Sequence, residues 1–122
     1  MKKIFATLFL CLLFAISMAN PKREMRATWL TTVANIDWPL SYTTDIEAQK
    51  KELTNILDDC VQWNLNTVLF HIRPACDALY KSSYEPWSSY LNHGRGVDPG
   101  YDPLQFCIDE CHKRGLACHG WI

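Results

Sequence analysis

The spacing of apolar and polar residues changes several times along the chain, and each change marks an element. From Arg26 to Val33, Trp29, Leu30 and Val33 are interrupted by threonines, a short β-branched and apolar run that predicts a strand. Asn35 to Ser41, with Trp38 and Pro39 inside it, reads as a loop. Thr44 followed three residues later by Glu47 is the signature of a capping box at a helix start. Beyond it Ile46, Leu53, Ile56, Leu57, Cys60 and Val61 recur at helical spacing, while Lys50, Lys51, Glu52, Asp58 and Asp59 take the opposite face. Asn64 to Asn66 ends that helix.

Thr67 to Arg73 holds Val68, Leu69, Phe70 and Ile72 with little alternation, which predicts a second strand covered on both faces, as in a parallel sheet. Pro74 to Gly100 keeps no period. It is longer than an ordinary connection, and Tyr80, Tyr84, Trp87 and Tyr90 argue for an ordered, functional loop. Asp102 then caps a second helix, with Pro103 at its first position and Gly115 where a left-handed cap ends it. Leu104, Cys107, Ile108 and Cys111 mark its buried stripe. Leu116 to Ile122 begins a third strand. Strand, helix, strand, helix, strand predicts an α/β fold with a parallel sheet and right-handed crossovers. Three strands and two helices leave an open sheet edge and a poorly covered face, so the pattern reads as the start of a larger domain.

Residues 1–19 follow a different logic. Lys2 and Lys3 precede an apolar run from Ile4 to Ile16, and Ser17, Met18 and Ala19 follow it, the order of a secretory signal peptide. The run is shorter than the roughly 20 residues a bilayer span needs, so no stable membrane span is expected. Cys11 invites a lipoprotein reading, but Phe9 and Leu10 are bulky where small residues belong. Residues 20–122 then form the mature segment, exported to the periplasm or surface of a bacterial cell. Losing Lys2 and Lys3 takes the formal charge from −1 to −3. No basic patch is left to neutralise phosphates, so no nucleic-acid partner is expected. Five cysteines remain, Cys60, Cys76, Cys107, Cys111 and Cys118, an odd number that cannot all pair within one chain.

In parallel α/β folds ligands gather beyond the carboxyl ends of the strands. Asn35, Asp37 and Trp38 follow the first strand; Arg73, Asp77, Tyr80, Glu85 and Trp87 follow the second; His119 and Trp121 lie on the third. Flat aromatic faces, one guanidinium and several carboxylates suit a sugar, with its many hydroxyls and its apolar C–H faces. Each residue also has a plain structural reading. Trp38 and Trp87 adjoin prolines and can simply pack on them, Arg73 can pair with Asp77 to brace the loop, and His71 and His119 can be satisfied core histidines. Asp102 reads as a helix cap only. Cys107, Cys111, His112, Cys118 and His119 crowd together without any Cys-x-x-Cys pair, and buried thiols behaving as small hydrophobes account for them, so no metal is expected. Neither a Gly-x-Gly-x-x-Gly motif, a phosphate-binding Gly-x-x-x-x-Gly-Lys motif, nor a Gly-x-Ser-x-Gly elbow occurs, and no cofactor is expected.

Several of these segments are familiar. Arg26-Ala27-Thr28-Trp29 and Val33-Ala34-Asn35-Ile36-Asp37-Trp38-Pro39 resemble the opening of the glycosyl hydrolase-like 10 family, which is distinct from the xylanases that share the number. Arg73-Pro74-Ala75, Asp77-Ala78-Leu79-Tyr80, Glu85-Pro86-Trp87-Ser88, Pro99-Gly100-Tyr101-Asp102-Pro103-Leu104 and His112-Lys113-Arg114-Gly115 follow in the family's order and approximate spacing. The resemblance covers nearly the whole mature chain. It implies a (β/α)8 TIM barrel, of which this segment is the N-terminal part, about three of eight strands, in exported bacterial proteins that cleave cell-wall glycan strands. His71 stands where family members often have glutamine and Gly120 where alanine is common. Glycoside hydrolysis usually needs two carboxyl groups flanking the bond, and many sugar-cleaving barrels carry them on later strands, so no catalytic pair is nominated here. The expected role is substrate holding on polysaccharide or peptidoglycan glycan: Trp38 and Trp87 as stacking faces, Arg73 and Asp77 as hydrogen-bonding partners, Tyr80 beside them, and His119 with Trp121 on the floor. The alternatives are a carbohydrate-binding barrel without catalysis and a structural metal or disulfide module.

Overall fold

A computed structural model describes residues 24–40 and 43–122. The signal-peptide expectation for residues 1–19 lies outside the described residues. Three strands, β1 (Ala27–Leu30), β2 (Thr67–His71) and β3 (Ala117–Trp121), form one sheet in the order β1-β2-β3, and both pairings are parallel. Helices α1 (Ile46–Gln62) and α2 (Pro103–Lys113) make the two crossovers. The expected α/β order and parallel sheet are therefore present, with each strand shorter than its apolar run.

Period-two alternation sorts the strand residues onto two faces. Leu30, Val68 and Phe70 face the helices and join Leu53, Leu57 and Cys60 of α1 and Cys107 and Cys111 of α2 in one core, each nearly or fully buried. Trp29 pairs in register with Leu69 and Leu69 with His119, while His71 pairs with Trp121, so these side chains share the other face. On that face Trp29 is 56% exposed.

The start of α1 corrects one expectation. Asp45, not Thr44, is the N-cap: its Oδ1 accepts from the backbone N–H of Glu47 at 2.9 Å and of Ala48 at 3.4 Å. A carboxylate satisfies the orphan donors of the first turn and adds favourable charge at the positive end of the helix. The stripe also differs. Val61 is exposed, whereas Gln49, polar and unforeseen, is fully buried. Gln49 donates through Nε2 to the carbonyls of Thr43 and Leu91 and accepts from the Tyr101 hydroxyl, so its burial leaves no polar atom unpaired. At the other helix, Asp102 accepts from the N–H of Gln105 at 2.9 Å, Pro103 is the first helical residue, and Gly115 takes φ +71° beyond the end, all as the sequence predicts.

The long β2–α2 segment is anchored in part by Trp87, which packs against the core, and in part by aliphatic residues. Tyr84 is 97% exposed, while Ala78, Leu79 and Leu91 are fully buried. Leu79 N–H donates to the Ile72 carbonyl at 3.0 Å and Leu104 N–H to the Leu79 carbonyl at 3.2 Å, so this leucine ties the end of β2 to the first turn of α2. Ala78 and Trp87 form an isolated bridge inside the loop.

Candidate functional site

The carboxyl ends of β2 and β3 bring together a compact set of side chains. The His71 imidazole stacks on the Trp121 indole with centroids 3.8 Å apart and planes 19° from parallel, and Trp29 meets Trp121 edge-on at 4.6 Å. These contacts follow from register: His71 and Trp121 are parallel-strand partners, and Trp29 lies on the neighbouring strand of the same face. The Thr32 hydroxyl donates to the His71 carbonyl at 2.8 Å, closing the end of β1 over β2.

Two buried polar atoms near this rim lack partners. His71 Nδ1 and Asp77 Oδ2 are buried and have no hydrogen-bond partner; among the described residues His93 Nε2 is the other buried side-chain atom in that state. Asp77 is 1% exposed, and its Oδ1 accepts from the Ala75 N–H at 3.2 Å. Burial pushes the His71 imidazole below its ordinary pKa, and the negative charge of Asp77 opposes that shift. His71 is thus not the satisfied core histidine that an apolar strand suggests.

Arg73 corrects a pairing. Its guanidinium takes Glu85, not Asp77, as partner: Nε donates to Oε2 at 2.7 Å and Nη2 to Oε1, a two-point grip across the loop. The hydrogen bonds that Arg73 donates to Glu85 raise the guanidinium pKa above its already high value. Arg73 remains partly exposed, and the Tyr80 ring lies within its electrostatic reach.

Trp38 is the clear correction among the nominated residues. It is fully buried, its Nε1 donates to the Gln49 carbonyl at 3.0 Å, and its ring meets Phe70 edge-on at 5.8 Å. An indole with no exposed face stacks on no ligand. Trp87 is half-buried and lines an open cleft of about 460 Å³ with Lys81, Asp98, Gly100, Tyr101 and Asp102, at the N-terminal end of α2. His119 is exposed and borders a hollow at the opposite ends of the strands, with Glu24, Met25, Asn66, Thr67, Gly115 and Ala117. The rim set is therefore His71, Arg73, Asp77, Tyr80 and Trp121, with Trp29 and Glu85 added. The alternation of Trp29 with the buried Leu30 was the signal for Trp29; nothing local announces the reach of Arg73 to Glu85.

Cysteine sulfurs form the second cluster. Cys107 Sγ lies 3.9 Å from Cys111 Sγ and 4.0 Å from Cys118 Sγ, and all three lie within 4.8 Å of one another. The three thiols titrate together: hydrogen bonding within the set lowers Cys118, while Cys107 and Cys111 are raised, with burial among the causes.

The chain matches the glycosyl hydrolase-like 10 family over residues 24–122. It is 48% identical over 107 residues to glycosyl hydrolase YngK of Bacillus subtilis (strain 168), an alignment covering 86% of this chain and 21% of that protein. It is 39% identical over 107 residues to glycosyl hydrolase DigH of Escherichia coli (strain K12), covering 82% of this chain and 24% of that protein. The chain thus spans between a fifth and a quarter of the length of these curated relatives.

Proposed function

Since the chain belongs to the glycosyl hydrolase-like 10 family, we propose that it supplies the first three strands of an exported glycoside hydrolase barrel and part of its substrate mouth. The observation that carries this reading is the group at the strand ends: two indoles and an imidazole in mutual contact, beside a guanidinium and a carboxylate with an unpartnered buried oxygen. Indole faces cover the apolar faces of sugar rings, and fixed polar atoms receive the hydroxyls around them. A parallel sheet with helices on one face and this set on the other is the arrangement expected of a barrel wall.

In this reading Trp121 and Trp29 stack on a sugar, the buried Asp77 and His71 shape the floor behind them, and the Arg73–Glu85 pair holds the loop with its exposed guanidinium edge turned to substrate. Tyr80 and Trp87 extend the surface along the loop. The polymer is the glycan strand of peptidoglycan or a related polysaccharide. Glu85 is tied to Arg73 and Asp77 to the Ala75 N–H, so the acid and its partner carboxylate are assigned to later strands. Such holding contacts speed cleavage only where they tighten toward the transition state. Lys2, Lys3 and the run Ile4 to Ile16 support export in this reading; among the described residues no helix is long and apolar enough to cross a membrane.

The test is a protein of the relatives' full length carrying this segment, incubated with peptide-free glycan strands. New reducing ends are expected, together with a large loss in kcat/KM for Trp121→Ala. Binding without new reducing ends would move the protein to a carbohydrate-binding role, a reading that the engaged carboxylates of this segment favour.

A further inference from the structure

Three of the five described cysteines converge between α2 and β3, away from the strand ends just described. Cys107 and Cys111 stand one helical turn apart on the face of α2 that packs on the sheet, where residues four apart are neighbours. Cys118 lies on β3 opposite Val68, which places its side chain on the same helix-facing side. Cys107 and Cys111 are buried and Cys118 is half-buried, so the cluster sits at the margin of the core. Cys76, by contrast, is exposed in the β2–α2 loop.

We propose that Cys107, Cys111 and Cys118 form a three-thiolate binding site for monovalent copper. The triangle has the right size. Three sulfurs held about 2.3 Å from a central ion at trigonal corners lie about 4.0 Å apart. Two sulfur separations, 3.9 and 4.0 Å, match that edge, and the third lies within 4.8 Å, a difference that a side-chain rotation closes. Thiolates are soft donors, which favour monovalent copper, zinc and iron–sulfur clusters. Zinc takes four ligands in its structural sites. Among the described residues no further histidine, cysteine, aspartate or glutamate donor, Cys60 of the same core included, lies within 4.8 Å of all three sulfurs, and a monovalent d10 ion is satisfied by three sulfurs. Binding exchanges the thiol protons for the ion and releases them to water, with no change of oxidation state. An engaged ion would join the last turn of α2 to β3, two elements whose packing otherwise rests on side-chain contact.

Buried thiols acting as small hydrophobes are the competing account, and it predicts no ion at all. The experiment titrates the reduced, purified protein with monovalent copper under anaerobic conditions against a chromophoric chelator of known affinity. One equivalent is expected, accompanied by thiolate-to-copper absorption in the ultraviolet. Loss of an outer partner of a metal ligand costs roughly 10–100-fold in affinity, so removing a donor with Cys118→Ser is expected to weaken binding by more than that. Cys76→Ser is expected to bind as the parent does. Should Cys118→Ser fail to fold by circular dichroism, alkylation of the parent answers instead: copper is expected to shield Cys118 from iodoacetamide while Cys76 stays reactive. Equal affinity in parent and Cys118→Ser, retention of zinc in preference to copper, or alkylation of Cys118 unaffected by copper would each overturn the proposal.

Discussion

Trp38 and Trp121 are both tryptophans near a strand end, yet their environments assign them opposite roles. Trp38, fully buried with its Nε1 bonded to the Gln49 carbonyl, belongs to the core. Trp38→Ala is expected to destabilise the fold by about 3–5 kcal/mol, the usual range for removing a buried aromatic, read as a lower midpoint in urea. Trp121 is half-buried, stacked on His71. Its replacement by alanine is expected to abolish glycan-dependent quenching of tryptophan fluorescence at a smaller cost in stability; unchanged quenching would remove it from the binding surface. His71 carries a pH prediction. Its folded pKa lies below the ordinary value of 6.5 because burial disfavours the cation. The unfolded chain therefore binds the proton more readily, so stability is full above about pH 6.5 and declines as pH falls from there toward the lower folded value. His71→Gln is expected to flatten that part of the profile, measured as unfolding free energy between pH 5 and 7. The sequence names these residues but not their surroundings, since a tryptophan beside a proline looks the same whether its ring is buried or free.

The elements depend on signals of one or two residues. Asp45 caps α1 through the N–H groups of Glu47 and Ala48, whereas Thr44 takes no part in that cap. Asp45→Ala is expected to cost about 1 kcal/mol and Thr44→Ala little, compared by thermal unfolding; the reverse ranking would restore the capping box suggested by Thr44 and Glu47. Both residues are good caps in isolation, and two adjacent candidates are separated only by which one holds extended backbone at the helix start. Asp102, Pro103 and Gly115 were legible because each has a single use at its position. Gly120 shows the limit of such reading. A Cβ there would lie 2.8 Å from Cδ1 of Ile72, so Gly120→Ala requires the Ile72 side chain to rotate. No pattern within β3 reveals that contact.

At the scale of the molecule, an apolar cleft of about 250 Å³ runs beside β1, lined by Trp29, Leu30, Ile36, Leu40, Ile56 and Trp63 among others. Trp29, Ile36, Leu40 and Trp63 are each more than half exposed. Contiguous exposed apolar surface next to a strand edge favours association. The isolated chain is accordingly expected to bind a hydrophobic dye and to self-associate with rising concentration, which sedimentation would measure; a monomer without dye binding would contradict this. The sequence by itself determined the order of elements, the parallel pairing, two helix ends and the family, because these rest on local period, short-range capping chemistry and ordered motifs. Only the tertiary structure decided which side chains meet. Register set His71 against Trp121, the fold of the long loop carried Glu85 to Arg73, and the packing of α2 on β3 brought three sulfurs together. Contacts between residues distant in sequence depend on the relative placement of whole elements, and no local spacing encodes that.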